Sequence, residues 1–306
     1  SSGKKCNTDF GVCYNPDFIA LGTVVKNFLN PDMVLIGESD EKAGRMLHDI
    51  HRDLVENKPS VHRMNIENAE LTKIALNSYC TLKITFANIL AEICEKFPGG
   101  NVDVVTDALG ADTRIGRKYL SGGLSYGGPC FPRDNKAFAW TAEKMGVSQM
   151  IAIKTDEVNE FHRNQRIPQK LLSVLKEKNG NKISILGLTY KADTTLVEES
   201  AALSVIRALD KENIIISVYD PAGLPEAKSE LSGCSNVIFT ENAKDCITGT
   251  DLCFIASPWK EFKNLSEEDF KKLMKNPVII DAWNTFRFRE KKEIDYREIG
   301  KYSSSK

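Results

Sequence analysis

Apolar and polar positions follow three different rhythms along this chain of 306 residues. Near the start, residues 9–14 (D-F-G-V-C-Y) and 33–37 (M-V-L-I-G) are short apolar runs suited to buried parallel strands, and 41–56 carries helical spacing. This is the pattern of the closing part of an α/β domain. From Ile66 to Cys94 the apolar positions Leu71, Ile74, Ala75, Tyr79, Leu82, Phe86, Ile89, Leu90 and Ile93 keep a period of about 3.6, which predicts one long helix with a buried face. Further helices are expected near 102–110, 134–145 and 149–177, with Pro168 ending or kinking the last unless it opens a new helix. Beyond Lys182 the rhythm changes again. Apolar runs at 183–189, 214–219, 236–239, 252–256 and 277–281 alternate with helical segments near 199–211, 241–247 and 267–275, as in a parallel sheet covered on both faces. The charged tail from Arg289 is expected to fray.

Charge alters this picture little. With 41 Lys and Arg against 42 Asp and Glu, nothing in the totals calls for nucleic acid or an anionic membrane as partner, so an anionic ligand must be met by a local cluster. The eight cysteines lack a C-x-x-C pair and the spacing of a zinc site, so they read as reduced thiols of a cytoplasmic protein with no metal. No run of 18 apolar residues and no signal-like start is present.

The run S-G-G-L-S-Y-G-G-P-C-F-P-R-D at 121–134 is the most informative stretch. Two glycines allow close approach of a ligand to the backbone. Cys130 falls where a helix begins, so free amides, the positive end of the helix dipole and Arg133 all favour a thiolate. A turn holding an ordinary buried cysteine fits the same spacing equally well. Asp134, one helical turn on, could be no more than a first-turn acid facing the dipole. Lys73 and Asn77 stand at i and i+4 on the long helix and can address one oxygen atom, although a solvated polar stripe has the same spacing.

The order of four motifs separates these readings. Y-G-G-P-C-F-P-R-D resembles the G-x-G-G-x-C-F-x-x-D pattern of the UDP-glucose/GDP-mannose dehydrogenase family, with Ser125 in place of the first glycine. N-A-E-L-T-K-I-A-L-N at 68–77 resembles the family's catalytic helix, N-P-D-F-I-A-L-G at 15–22 its N-P-E-F segment, and L-G-L-T-Y-K-A-D-T at 186–194 the opening of its nucleotide-binding domain. The resemblance spans about residues 9–287. It implies an NAD-dependent oxidation of a UDP-sugar's primary alcohol in two steps, UDP-glucose to UDP-glucuronate in the branch favoured by C-F-P-R-D, through a thioester on Cys130. The same resemblance implies that Lys73 and Asn77 stabilise the oxyanion, that Asp134 relays a proton through water, and that Asp17 activates the hydrolytic water. It also implies a substrate site from Tyr119, Leu120, Gly127, Lys191, Arg287 and Arg114, the last reaching across a homodimer formed by the central helical region.

Several positions depart from the family pattern. The N-P-E-F-L-x-E glutamates are Asp17 and Leu21 here, and Glu198 stands where relatives place an arginine against NAD. Arg287 is the nearest basic residue to D-A-W at 281–283, where many members have D-G-R. No G-x-G-x-x-G precedes Asn15, so the NAD-binding half is expected to be largely missing and the chain inactive as it stands. The expected organisation is a remnant of an N-terminal Rossmann domain at 1–60, a central helical catalytic and dimerisation domain at 61–165, and a doubly wound, Rossmann-like UDP-sugar-binding domain at 166–306. UDP-N-acetylhexosamine or GDP-mannose dehydrogenation, or a non-catalytic UDP-sugar-binding fragment, are the alternatives; a cysteine hydrolase lacks a histidine within the cysteine's motif.

Overall fold

The computed structural model describes residues 2–19, 21–286 and 294–303. The chain divides into two compact units, Ser1–Ser78 and Tyr79–Lys306.

In the first unit, β1 (Cys13–Tyr14), α1 (Val24–Leu29), β2 (Met33–Glu38), α2 (Glu41–Leu54) and β3 (Ser60–Met64) precede the long helix α3 (Ile66–Cys94), within which the division falls. β2 pairs with β3 in parallel, and the two strands are tied near their carboxyl ends by Arg63, whose Nε and Nη2 donate to the Glu38 carboxylate at 2.7 and 3.1 Å. The run 9–14 is not the expected buried parallel strand. Cys13–Tyr14 pair antiparallel to β2, Phe10 makes only an isolated bridge with Cys6, and residues 9–12 are exposed. β3 was not expected, because its polar alternation S-V-H-R-M lacks an apolar run; its backbone pairing with β2 decides it.

The second unit continues with α4 (Val102–Ala111), α5 (Phe131–Lys144), α6 (Met150–Phe161), a π-turn (His162–Arg166), α7 (Ile167–Glu177) and β4 (Lys182–Leu186). It then alternates α8 (Ala201–Asp210), β5 (Ile215–Tyr219), α9 (Leu224–Glu230), β6 (Val237–Phe239), α10 (Ala243–Ile247) and β7 (Leu252–Ile255), followed by a short 3-10 turn (Lys260–Asn264), α11 (Glu267–Leu273), β8 (Val278–Asp281) and β9 (Asp295–Glu298). The six strands lie in the order β6-β5-β4-β7-β8-β9, all parallel. That is the doubly wound arrangement, with its switch point between β4 and β7.

Strand alternation covers both faces. Ile183, Ile185, Val218 and Phe254 join Leu171 of α7 and Val205 and Ile206 of α8 in one core, while Leu186, Cys253, Ile255 and Ile279 join Cys246 of α10, Phe262 and Phe270 in the other. Each fully buried phenylalanine here contributes about 1.5–3 kcal/mol.

Two expectations need correction, on the buried face of the long helix and on the tail, and one is resolved. The long helix has the predicted bounds, but its buried line is Ala69, Asn77, Cys80, Thr81, Thr85, Ala87, Asn88, Ala91 and Cys94, whereas Tyr79, Phe86 and Ile93 are exposed. Small residues let neighbouring backbone approach, as where a Cβ on Gly122 would lie 2.9 Å from Ala91 Cβ. Pro168 takes the alternative of opening a new helix. It lies in the first turn of α7, and the π-turn before it joins α6 to α7; widening the turn relieves the ring's clash with the preceding carbonyl and the missing N–H. The tail does not simply fray, since Asp295–Glu298 pairs with β8, and Arg297 donates to Glu177 at 2.8 and 3.0 Å.

Candidate active site

The glycine loop of the second unit lies against the carboxyl end of its sheet. Gly123 faces the Ala282 carbonyl and the Trp283 ring just past β8, with distances of 3.0 and 3.3 Å to an imagined Cβ. Gly127 faces the Glu199 carbonyl so closely that no side chain fits, and Gly128, at φ +80°, would place a Cβ 2.7 Å from the Tyr190 ring. Gly128 N–H also donates to the Glu198 carbonyl at 3.1 Å. The loop after β4 is fixed from below by the buried Asp220, whose carboxylate accepts from Leu188 N at 2.6 Å, Thr189 N at 3.0 Å and Trp259 Nε1 at 3.1 Å. Two chain segments distant in sequence, 127–130 and 190–199, therefore meet where a parallel sheet of this order binds ligands.

Cys130 occupies the N-cap of α5, which begins three residues earlier than periodicity suggested, and its thiol is exposed. Asp134 is buried in the first turn; its N–H donates to the Cys130 carbonyl at 2.8 Å and its carboxylate accepts from Arg133 Nε at 3.0 Å. Burial and then the charge of Cys130 raise the Tyr190 phenol above its ordinary value, and burial lowers the Lys191 ammonium. Negative charge brought beside so desolvated a lysine favours its ammonium form, so the position suits an anionic ligand at the sheet edge. Tyr119 adopts φ +66° and sets its ring edge-on to Phe131 at 6.0 Å, beside a buried Leu120.

Behind the loop lies a buried polar chain. Arg166 Nη1 meets His162 Nε2 at 3.0 Å, so that nitrogen must carry the lone pair. Burial and then Arg166 push His162 down to about 3, leaving it neutral with its proton on Nδ1. Nδ1–H then faces Ser125 Oγ at 3.2 Å, and the hydroxyl donates to the Asn159 carbonyl at 3.1 Å. Arg166 Nη2 and Lys170 both donate to Glu95 at 2.9 Å. Ser125, the departure from the family's glycine, thus links the loop to the π-turn.

In the first unit Lys73 Nζ donates to the Asp17 backbone carbonyl at 2.7 Å and stands 4.5 Å over the Phe18 ring. Asn77 is buried one turn on. The Asp17 carboxylate is exposed and its charge reaches His51, whose Nε2 lies 2.8 Å from Asn15 Oδ1.

The structure accordingly gathers Cys130, Asp134, Gly127, Lys191 and the Glu198 backbone in one unit, and Asp17, Lys73 and Asn77 in the other. The Glu198 side chain is exposed. Arg114 lies apart from the loop's contacts, 85% exposed and paired with Asp112 at 2.6 Å. Arg287 lies outside the described residues. Sequence reading missed Tyr190, Asn159, His162, Arg163 and Arg166; the basic run at 162–166 looks like a solvated helix face until the π-turn directs it inward.

A glycine loop over the carboxyl edge of a doubly wound parallel sheet, with an exposed cysteine at a helix N-terminus, defines the class: a dinucleotide-fold α/β protein. The chain belongs to the UDP-glucose/GDP-mannose dehydrogenase family. Residues 67–161 match the family's central domain, 184–288 its UDP binding domain and 1–55 its NAD binding domain. It is 34% identical over 293 residues to UDP-glucose 6-dehydrogenase TuaD of Bacillus subtilis (strain 168), covering 96% of this chain and 62% of that protein. It is 35% identical over 297 residues to UDP-glucose 6-dehydrogenase of Rickettsia conorii, covering 96% of this chain and 67% of that one. The solved UDP-glucose dehydrogenase of Pyrobaculum islandicum matches with a TM-score of 0.81 and 28% identity, over 97% of this chain and 65% of that chain. This chain thus spans about 62–67% of the length of these relatives.

The match at 1–55 corrects the expectation that the NAD-binding domain is largely missing: the domain is represented, through β1, β2 and α2. That expectation rested on the glycine fingerprint alone, whereas a nucleotide-binding domain is also marked by its later strands and covering helix. Residues 1–55 contain no G-x-G-x-x-G run. No helix among the described residues is long and apolar enough to cross a membrane.

Proposed function

We propose that this chain forms the thiol-bearing and sugar-binding part of an NAD-dependent UDP-glucose 6-dehydrogenase, with UDP-N-acetylhexosamine or GDP-mannose as the alternative substrates. The observation that carries the reading is the exposed Cys130 thiol at the α5 N-terminus, on a loop seated against the segment that holds Lys191. NAD⁺ supplies the hydride acceptor for each of two oxidations. After the first, the Cys130 thiolate attacks the C6 aldehyde, forming a C–S bond and an oxyanion. Lys73 and Asn77 serve that oxyanion. Loss of hydride from the thiohemiacetal leaves a thioester; water then adds, the C–S bond breaks, and the carboxylate departs as the thiol regains a proton. Asp134 relays that proton through water, and Asp17, whose backbone carbonyl holds Lys73, activates the water. Gly127, Tyr119, Leu120, Lys191 and Arg287 hold the nucleotide sugar, with Glu198 on the cofactor side.

We also propose a domain organisation of 1–60, 61–165 and 166–306, a homodimer to which Arg114 contributes across the interface, and residence in the reducing cytoplasm. The exposed line Tyr79, Phe86 and Ile93 along α3, at seven-residue spacing, with exposed Phe97 four residues further on, supports the dimer, since large apolar side chains on one helix face seek a partner. All eight cysteines being free thiols supports the compartment.

The test is stoichiometry and covalent capture in the protein that contains this chain. Two NADH per UDP-glucose are expected, with turnover lost in Cys130→Ser. Retained turnover in that variant would sink the thioester route, and preference for an N-acetylhexosamine would move the substrate assignment.

A further inference from the structure

The π-turn between α6 and α7 carries one side chain that bears on Cys130 at a distance. Arg163 is 8% exposed. Its Nη2 donates to Glu199 Oε2 at 2.6 Å and its Nη1 to the Glu199 carbonyl at 3.2 Å, while Nε donates to Glu160 Oε2 at 3.2 Å. Burial alone would expel a guanidinium, and these carboxylates offset that cost. Glu199 itself sits at φ +51°, a left-handed conformation that a glutamate holds only when its surroundings impose it. The same Glu199 carbonyl closes the space above Gly127, and the preceding carbonyl, of Glu198, accepts from Gly128 N. Arg163 thus holds the turn on which the residues just before Pro129 and Cys130 are seated.

We propose that Arg163 is a positioning residue for Cys130, acting through the Glu198–Glu199 turn on Gly127 and Gly128 to keep the thiol at the N-terminus of α5. The catalytic meaning rests on Cys130 being the nucleophile; the geometry does not. Because the thiol is already exposed, releasing the clamp adds little access and removes the fixed relation to the helix amides, so reactivity falls.

The experiment uses this chain, with iodoacetamide as probe near neutral pH. Alkylation of Cys130 is quantified by peptide mass spectrometry against exposed Cys6 in the same sample, and hydrogen exchange is followed over residues 122–134. Arg163→Gln is expected to lower the ratio severalfold and to speed exchange at Gly128. Arg163→Lys, which keeps the charge but not the fork, recovers part of the ratio. Arg207→Gln, which removes a surface pair with Glu230, changes neither. If circular dichroism shows Arg163→Gln unfolded, Glu199→Gln carries the same expectation with less buried charge disturbed. A folded variant of either kind whose ratio and exchange stay within about twofold of the parent overturns the proposal. Full turnover by Cys130→Ser would instead remove the nucleophile reading while leaving the exchange response to Arg163 intact, so the two failures are told apart.

Discussion

Replacing Ser125 by alanine removes a single hydroxyl from a closed polar chain. Ser125, Asn159 and His162 are 9%, 3% and 4% exposed, so solvent does not reach the atoms left behind. The lost donation to the Asn159 carbonyl costs about 1 kcal/mol, because that oxygen keeps the His162 amide as a partner. His162 Nδ1–H fares worse. Its other nitrogen is committed to Arg166, which can only donate, so the tautomer cannot switch and a buried donor is orphaned at about 1–3 kcal/mol. The expected total is about 2–4 kcal/mol, and Ser125→Gly, which restores the family's residue, adds about 0.5–1 kcal/mol of backbone entropy. Urea unfolding followed by the helical signal measures it, with a His162→Gln double-mutant cycle to isolate the Ser125–His162 coupling. A loss under about 0.5 kcal/mol, or no coupling, would show that the tautomer assignment or the closed site is wrong.

The same histidine sets a pH window. His162 falls from an ordinary 6.5 to about 3 in the folded protein, so its contribution is present above pH 6.5 and is lost as pH drops towards 3, when the unfolded chain takes up the proton first. Between pH 6.5 and 4.5 this amounts to about 2 kcal/mol, measured as the difference in acid destabilisation between the parent and His162→Gln; parallel curves would contradict it. Gly127→Ala drives a methyl into the Glu199 carbonyl, so a loss of about 1–3 kcal/mol in urea unfolding and faster exchange at Gly128 are expected, and a neutral result would mean the loop is not seated there. Phe86→Glu is expected to leave the helical signal unchanged and to shift gel-filtration elution to the monomer; an unchanged oligomer would place the interface elsewhere.

The elements whose hydrophobic rhythm is strong are legible in the sequence alone: the bounds of α3, the strands β2, β4, β5, β7 and β8, and the doubly wound class they imply. Periodicity registers apolar surface, and those elements bury it. The setting of Cys130 is legible as well, since a glycine pair, a helix start and an acid one turn later are local features, and the structure places the cysteine at the α5 N-cap. Three things needed the tertiary structure. The first is which side of α3 is buried, because a line of Ala, Cys, Thr and Asn is chosen for close backbone approach and leaves Tyr79, Phe86 and Ile93 outside. The second is β9, whose polar D-Y-R-E is recruited by strand pairing and by side-chain partners such as Glu177 and Asp281, and not by apolar burial. The third is the meaning of Ser125 and of the basic run at 162–166. A serine for glycine reads as a defect in a motif, and His162, Arg163 and Arg166 read as a solvated face. Only the π-turn, five residues wide, turns them inward to a loop some forty residues away in sequence, where hydrogen bonds that no local pattern encodes hold Cys130 in place.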